Sequence, residues 1–359
     1  MNYLAIVVTF LSVTLITSAL ISLVGRSEWW FRIFDFPRVQ IAILGAVVVL
    51  LQVISYRGYW YELFLIPVLA TVIVWEVSRI FPFTLFHKKE VASVGLSDDT
   101  QSISVMVSNV LMTNQCTSSL LDLVAECEPD VLLTLETDQY WEDALAPLEN
   151  TYTYVMRCPQ DNLYGMHLYS KFELLNPTVE FLVEQDVPSI HTEVLLPSGQ
   201  KVKLHCLHPA PPSPTENDTS IERDAELITV AKLVSRQDIP VIVAGDLNDV
   251  AWSDTTLLFR KISGLLDPRI GRGLFNSFHA DHWFLRWPLD HVFHSHEFGL
   301  VKIGRLRSIG SDHFPIFCQL CYMPNIESRD SPAPPDAQEI QLANEKLAQA
   351  RNKPFNELV

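Results

Sequence analysis

The first 80 residues are dominated by long apolar runs with little amphipathic periodicity. Residues 4–24 carry no charged side chain and are long enough to cross a bilayer core of about 30 Å. Two shorter runs follow at residues 39–54 and 63–75. Buried core helices are an alternative for each run, and a cleaved signal peptide is an alternative for the first, although no Lys or Arg precedes it. Three runs in succession predict a transmembrane region of about three helices at residues 1–80.

The pattern changes after residue 80. Residues 81–102 form a polar linker, and residues 103–323 contain many short apolar stretches. The strand-like stretches are SISVMVSN, DVLLTLE, GMHLYSK, FLVEQD, HTEVLL, VKLHCLH, PVIVAGD, LDHVFHS and PIFCQLCY, and the two strongly helical ones are TSSLLDLVAECEPD and IERDAELITVAKLVSRQ. This composition predicts an α/β domain of stacked mixed sheets with helices outside. Residues 324–359 predict a solvated, flexible tail with room for one short helix at residues 336–353.

The charges beside the apolar runs predict an orientation in the membrane. With three spans, the first loop and everything after the third run share one side. The Lys and Arg residues are unequally distributed: Arg26, Arg32 and Arg38 lie in the first loop, Arg57 in the second, and Arg79, Lys88 and Lys89 after the third run. Because cytoplasmic loops carry an excess of Lys and Arg, this asymmetry predicts that the domain at 103–323 is cytoplasmic, provided that all three runs span.

Composition narrows the classes of partner. The six cysteines are irregularly spaced within apolar stretches after residue 102, which indicates reduced, buried thiols better than a disulfide framework. The formal net charge of −16 disfavours nonspecific capture of nucleic acid, because phosphate backbones attract basic surfaces. A locally basic groove remains compatible with this total charge, so nucleic acid stays an alternative partner.

Polar side chains recur where the predicted strands begin or end. They are Asn109, with Asn114 shortly after it, Glu136, His208, Asp246 and Asn248, Asp290 and His291, and Asp312 and His313. Each one alone has an ordinary explanation, such as an Asx turn, a helix cap or a hydrogen-bonded histidine at the edge of the core. Together they supply the hard oxygen ligands that Mg²⁺ or Mn²⁺ prefers and imidazoles that can move or balance protons.

The order of these motifs resembles that of a known family. The series SN…N, LLTLET, YGMHLYSK, LHP, GDLND, LDHVF and GSDHFPI is similar to the endonuclease/exonuclease/phosphatase superfamily with the deoxyribonuclease-I-like fold, and it covers residues 103–322. GDLN and SDHFP carry most of the resemblance. The apolar front end and the AWSD after GDLND resemble a membrane-anchored bacterial branch of that superfamily. The resemblance implies a four-layer α/β sandwich and metal-dependent cleavage of a phosphoester.

The resemblance also implies roles for single residues at the metal. Glu136 would be the principal ligand of a divalent ion, Mg²⁺ or Mn²⁺. Asn109 would lie beside it at the metal and the phosphate, and Asp312 would assist at the metal.

The remaining roles implied by the resemblance are catalytic. Asp246 would orient or deprotonate the attacking water, and Asn248 would hold that water or a phosphate oxygen. His313 would face the phosphoryl group in a tautomer set by Asp290. His208 matches a histidine near the leaving group in the deoxyribonuclease and sphingomyelinase branches, a position that abasic-site endonucleases fill with Tyr, so a phosphodiesterase or phosphomonoesterase is favoured over abasic-site repair.

Three functions stay open at the level of sequence. The first is a membrane-anchored, metal-dependent phosphoesterase whose substrate is a lipid headgroup, a nucleotide or another small phosphoester. The second is a nuclease held at the membrane, which the acidic charge disfavours. The third is a non-catalytic membrane scaffold that retains the fold, which the complete set of polar residues disfavours. Five histidines match no motif, namely His167, His279, His282, His294 and His296, and Asp267, His279 and Asp281 are weaker candidates for lining the cleft.

Overall fold

The protein is described here from a computed structural model that covers residues 3–56, 58–95, 98–326 and 332–352. The chain forms two compact units. The N-terminal unit comprises Met1–His87 together with Pro212–Ser220, and the C-terminal unit comprises Lys88–Pro211 and Ile221–Val359.

The N-terminal unit is built from helices. They are α1 (Tyr3–Ser22), α2 (Trp29–Arg32), α3 (Arg38–Ile54) and α4 (Trp60–Ile80). The three long helices pack on one another through a small apolar cluster that includes Val8, Val48 and Leu69. Polar side chains lie between the helices as well: the Gln52 amide donates a 2.9 Å hydrogen bond to the Ser12 hydroxyl. Many Leu, Ile and Val side chains of the same helices are exposed.

Two helical segments of this unit are long and apolar enough to cross a membrane, Tyr3–Ser22 and Trp60–Phe83. A third span exists only if Trp29–Asp35 and Arg38–Ile54, which are bent by 66° relative to each other, are taken as one. The predicted count of about three therefore stays a prediction. Arg57, on which the predicted charge asymmetry depends, lies outside the described residues.

The C-terminal unit contains two β-sheets. The first has six strands in the order β10-β11-β1-β2-β4-β3, and the second has five in the order β5-β6-β7-β8-β9. The strands are β1 (Ser102–Asn109), β2 (Val131–Leu135), β3 (Tyr154–Cys158), β4 (Met166–Ser170), β5 (Glu173–Glu180), β6 (Ser189–Leu195), β7 (Lys201–Leu207), β8 (Val241–Asp246), β9 (Asp290–His294), β10 (Phe298–Arg305) and β11 (Ile316–Tyr322). The predicted strand FLVEQD is wrong, because residues 181–186 form bends and turns after β5.

Helices cover the outer faces of both sheets. They are α5 (Thr117–Cys127), α6 (Gln139–Leu145), α7 (Ile221–Val234), α8 (Asp254–Ser263) and α9 (Ala337–Asn352). Side chains of β1, β2 and β4 meet those of β6, β7 and β8 in the central core. A second cluster joins the first sheet to α5 and α6, and a third joins the second sheet to α7 and α8. The predicted four-layer α/β sandwich is confirmed.

Helix α9 forms where the sequence left room for one short helix, but it is docked on the domain and not solvated as predicted. It packs on α7 and α8 through Ala343, which contacts Ile228 and Leu258. The Lys346 ammonium also donates to the Asp224 carboxylate of α7 at 2.6 Å. The few apolar residues of α9 are enough to dock it only because α7 and α8 present a complementary surface. Residues 327–331 and 353–359 of the predicted tail lie outside the described residues.

Each sheet contains one pair of parallel neighbours, and these pairs bring the polar strand ends together. Strands β1 and β2 run parallel, with Asn109 opposite Leu135, and β7 and β8 run parallel, with Leu207 opposite Gly245. Strand β9 runs antiparallel to β8, so that Asp290 at its start lies opposite Asp246. Carboxyl ends of parallel strands are the edge at which α/β folds assemble their sites.

Candidate active site

Asn109 and Glu136 meet at the ends of the parallel strands β1 and β2. The Asn109 amide donates to the Glu136 carboxylate at 2.7 Å and to Asp246 at 3.3 Å. The backbone N–H of Met112 also approaches Glu136, at 3.4 Å. Glu136 has a φ of 60°, in the left-handed region that non-glycine residues seldom occupy and that recurs at functional sites. The turn after β2 therefore holds the Glu136 carboxyl toward the second sheet.

Asp246 lies close to three other residues of the site. Its Oδ2 lies 3.5 Å from His313 Nε2 and 3.9 Å from His208 Nε2, in addition to the contact with Asn109. Gly245 before it has a φ of 149°, and a Cβ at this position would lie only 1.9 Å from the Leu207 carbonyl oxygen. Because no larger residue fits there, the glycine lets β8 pass close to β7 and brings Asp246 beside His208.

His313 is held between two carboxylates. Its Nδ1 lies 2.8 Å from Asp290 Oδ2 and donates the hydrogen bond, while Nε2 faces Asp246. Burial disfavours the imidazolium, but Asp246 and Asp290 outweigh this penalty and raise the pKa of His313 to about 10. His313 is therefore a buried cation at neutral pH, and the predicted pairing of His313 with Asp290 is present.

His208 has the opposite electrostatic character. Burial lowers the pKa of His208 to about 4, although the charge of Asp246 opposes the shift. Its ring lies 5.5 Å from that of Tyr164, and its Nδ1 is buried without a hydrogen-bond partner among the described residues. At neutral pH His208 is therefore an uncharged imidazole that forms hydrogen bonds, and it carries no extra proton to give as a general acid.

Asn248 lies in the turn after β8 with a φ of 50°. Its backbone N–H donates to Asp246 Oδ1 at 2.9 Å, and its side-chain amide donates to the Pro209 carbonyl at 3.1 Å. The side chain thus joins the segments that follow β7 and β8. Its predicted role at the water or phosphate stays a prediction.

Asp312 is partly exposed. Its Oδ1 lies 3.4 Å from the Ser311 hydroxyl, and its charge acts on both Glu136 and His313. The sequence-predicted residues are thus all brought to one end of the two sheets. Asn114 belongs to the structure around it, because its amide bonds the carbonyls of Val110 and Ile309.

The donor atoms fit a hard divalent cation. Asp246, Asp290 and His313 offer ligand atoms within 4.8 Å of one another, but both ring nitrogens of His313 already face carboxylates, so these three form a hydrogen-bonded chain. Glu136 is the better candidate ligand. Burial raises the pKa of its carboxyl to about 7, and the charges of Asp312 and Asp246 act in the same direction. A dication is the type of partner that holds such a carboxyl ionised.

A row of aromatic rings leads away from His313. Successive ring centroids are 4.9 Å apart from His313 to Phe278, 4.7 Å from Phe278 to His279, 4.6 Å from His279 to His282, 6.4 Å from His282 to Phe284 and 5.6 Å from Phe284 to Trp283. Trp283 is 79% exposed. In this stretch the sequence analysis named only His279 and Asp281, as weaker candidates for lining the cleft, although the density of rings in SFHADHWFLRW was a usable signal.

The other unplaced residues lie elsewhere. Asp267 does not line the cleft, because it is fully buried and bonded to Arg269, while Asp281 is exposed. His167 and His294 are buried in strands, and burial lowers the pKa of each to about 4. His296 is exposed beside Glu297. These positions agree with packing and surface histidines.

Comparison with known proteins identifies the group to which the chain belongs. A sequence model of the Endonuclease/Exonuclease/phosphatase family matches residues 106–313. No curated protein matches the sequence.

Solved structures share the fold at low identity. D. rerio TDP2 complexed with a single-strand DNA product is 18% identical with a TM-score of 0.52, covering 61% of this chain and 98% of that one. The human Nocturnin catalytic domain with bound sulfate is also 18% identical with a TM-score of 0.52, covering 66% of this chain and 98% of that one. The match to the family model, together with the shared fold, shows that the chain belongs to the Endonuclease/Exonuclease/phosphatase family, whose members are metal-dependent hydrolases of phosphoester bonds.

Proposed function

We propose that this protein is a membrane-anchored phosphoesterase that hydrolyses a phosphodiester or phosphomonoester with an activated water and a divalent metal ion, Mg²⁺ or Mn²⁺. The observation that carries the proposal is the arrangement around Asp246. One carboxylate oxygen lies within 4 Å of Asn109, His208 and His313, where a phosphoryl group and a water both need directed polar groups.

Glu136 would hold the metal ion, with Asn109 and Asp312 beside it. When bound, a divalent ion at this place supplies charge that stabilises the nonbridging oxygens of a phosphoester transition state. The carboxylate and amide oxygens are the ligand types that Mg²⁺ and Mn²⁺ prefer.

The side chains of the protein supply the other parts of the reaction. His313 presents a buried positive charge to the phosphoryl oxygens, and Asp290 fixes its orientation through the 2.8 Å hydrogen bond. Asp246 orients the attacking water and accepts its proton. The neutral His208 donates a hydrogen bond to the leaving oxygen, which takes its proton from solvent water as the P–O bond breaks. Asn248 holds the turn that carries Asp246.

The helices of the N-terminal unit support membrane anchoring. Leu44, Val47 and Val74 are all about half exposed or more, whereas polar Ser12, Gln52 and Glu76 are buried between the helices. Apolar side chains outside and polar side chains inside suit a lipid environment, in which helices join through polar contacts. We propose a multi-pass protein whose site is cytoplasmic. Labelling of the exposed Cys116 by a membrane-impermeant thiol reagent, in sealed inverted vesicles but not in intact cells, tests this orientation.

The substrate is proposed to be a small phosphoester, a lipid-derived one included. A nuclease is the second candidate, because the row of rings that ends at Trp283 suits stacking of bases. The net charge of −16 weighs against long nucleic acid.

The first experiment uses the full-length protein in detergent micelles. Bis(p-nitrophenyl) phosphate, p-nitrophenyl phosphate, a single-stranded oligonucleotide and phospholipid vesicles are tested with Mg²⁺, with Mn²⁺ and with chelator, beside an Asp246→Asn variant. We expect metal-dependent turnover that the variant loses. Turnover that survives chelation or the substitution would contradict the proposed site, and binding of Mn²⁺ without turnover on any substrate would favour the scaffold.

A further inference from the structure

Buried Arg side chains support the turn that follows β8. Residues 245–249, whose sequence is GDLND, are called here the GDLND turn, and they include Asp246 and Asn248. The guanidinium of Arg223, on α7, donates to the Asn248 carbonyl at 2.8 Å. Arg223 is only 2% exposed. A buried arginine therefore fixes the backbone of the residue that lies two positions after Asp246.

Arg223 is oriented by two carboxylates. Its Nε and Nη2 both donate to Asp224 Oδ1, at 3.1 and 2.9 Å, and its Nη1 lies 3.4 Å from Asp249 Oδ1. The planar guanidinium has donors in a fixed geometry, so that binding Asp224 on one edge sets the direction of Nη1 toward the Asn248 carbonyl.

Helix α9 completes this arrangement. Lys346 donates to Asp224 Oδ2 at 2.6 Å, while Arg223 occupies Oδ1 of the same carboxylate. The contacts therefore run without a break from Lys346 through Asp224 and Arg223 to the backbone of the GDLND turn. All four groups belong to the C-terminal unit.

The next carbonyl of the turn has its own independent support. Arg269 Nη2 lies 2.6 Å from His291 Nδ1, and His291 Nε2 lies 2.9 Å from the Asp249 carbonyl. Because arginine only donates, Nδ1 must accept and Nε2 must carry the hydrogen that is donated to Asp249. Consecutive carbonyls of the turn are thus each held by a buried donor.

We propose that Arg223 and Lys346 are positioning residues for the GDLND turn, and that the docking of α9 thereby sets the activity of the site. This inference rests on the proposed function only in so far as activity is its readout. Displacement of α9, by a partner or a modification at its surface, would loosen Asp224, then Arg223, and then the turn that carries Asp246.

Matched variants separate positioning from simple stabilisation. Lys346→Met removes the contact to Asp224, and Lys346→Arg keeps a cation there. Lys261→Met is the control, because Lys261 anchors the same helix through Glu339 but does not contact the groups that lead to the turn. All are made in the full-length protein and assayed with bis(p-nitrophenyl) phosphate and Mn²⁺.

We expect Lys346→Met to lower kcat about tenfold with little change in KM, as loss of an outer-shell partner commonly does. Lys346→Arg should restore most of kcat, and Lys261→Met should resemble the wild type. Amide hydrogen exchange of a peptide that spans residues 246–253 should accelerate in Lys346→Met only.

Equal effects of Lys346→Met and Lys261→Met on kcat and exchange would overturn the inference, and so would no effect of Lys346→Met on either. A wild-type protein without turnover on any substrate would instead contradict the proposed function. In that event the exchange measurement still tests the positioning role, because it needs no substrate.

Discussion

Two buried polar regions of the C-terminal unit differ in their balance of charge. At the strand ends, four carboxylates, those of Glu136, Asp246, Asp290 and Asp312, surround one charged imidazole, that of His313. Behind the turn, the ion pairs join Asp224 to Arg223 and Lys346, Asp249 to Arg223, and Asp267 to Arg269. Most of these groups are buried, yet only in the second region are the charges balanced within the protein.

This difference in charge balance distinguishes the residues that support the site from those that are available for the reaction. A buried carboxylate that has an arginine partner is held in one geometry, and the pKa of Asp267, which burial would raise, is instead lowered by Arg269 to about 2. A carboxylate without such a partner, like Glu136, has a raised pKa and attracts a cation from outside the protein. We interpret the excess negative charge as the feature that defines the reactive region.

The largest effect is expected in the balanced region. Arg269→Met leaves Asp267 buried without its cation, and removal of one partner from a buried pair costs about 3–5 kcal/mol. We expect the free energy of unfolding to fall by that amount in chemical denaturation. Arg286→Met is the control, because Arg286 forms no ion pair among the described residues. It stacks on Phe314 and donates to the His279 and Ala280 carbonyls, so that a loss of about 1–2 kcal/mol is expected. Similar losses in both variants would remove the distinction.

The next effect concerns the unbalanced region. Asp246→Asn keeps the shape of the side chain but removes its charge, so turnover should fall on the order of 10²-fold or more, as for other preorganised polar groups. Stability should change by less than about 1 kcal/mol, because the lost attraction between Asp246 and His313 is offset by the lost repulsion between Asp246 and Glu136. Steady-state kinetics and denaturation of the same sample check both statements. A strongly destabilised Asp246→Asn variant would place Asp246 in the supporting region.

The pH dependence of metal binding tests whether Glu136 is the carboxyl group that binds the cation. The pKa of Glu136 is about 7, so the carboxyl is protonated below that pH and must lose its proton when a metal ion binds. Affinity for Mn²⁺ should therefore fall about tenfold for each pH unit below 7 and level off above it. Calorimetric titration between pH 5.5 and pH 8.5, an interval chosen to bracket about one unit on either side of that pKa, measures this slope. In Glu136→Gln the slope should disappear together with most of the affinity, and a persistent slope would assign it to another group.

The smallest effect is expected at the surface. The ion pair between Lys261 and Glu339 is partly exposed, and pairs of this kind contribute about 0–1 kcal/mol. Lys261→Met should lower the free energy of unfolding by no more than that and leave turnover unchanged. A loss comparable to that of Arg269→Met would show that burial does not separate the two kinds of ion pair.

Much of the fold could be predicted from local patterns. The strands that carry Asn109 and Asp246 were found because they are rich in apolar, β-branched residues and end in a polar residue. Helix α8 was missed although Ser253 caps its start and Gly264 ends it with a φ of 72°. The strand expected at residues 181–186 does not form, which shows that a short apolar stretch alone does not determine a strand.

The candidate site could be predicted as a set of residues but not as a network. Arg223 and Arg269 carry no motif, and the contacts that join them to the site cross between elements. Arg223 bonds Asn248, 25 residues away, and Arg269 bonds His291, 22 residues away, while Lys346 reaches Asp224 across 122 residues. The roles of the eight predicted site residues stay predictions until they are tested by substitution, whereas their placement at one end of the two sheets is a property of the structure.

Local patterns in the chain were enough to predict an apolar front end, an α/β domain and the family, because hydrophobic periodicity and short motifs are local properties. Which polar residues are charged, which are neutral and which support the others depends on the folded arrangement. His313 and His208 are both strand-end histidines in the sequence, yet the pKa of one is raised to about 10 and that of the other is lowered to about 4. Burial and neighbouring carboxylates cause this difference, and both arise only when distant strands meet.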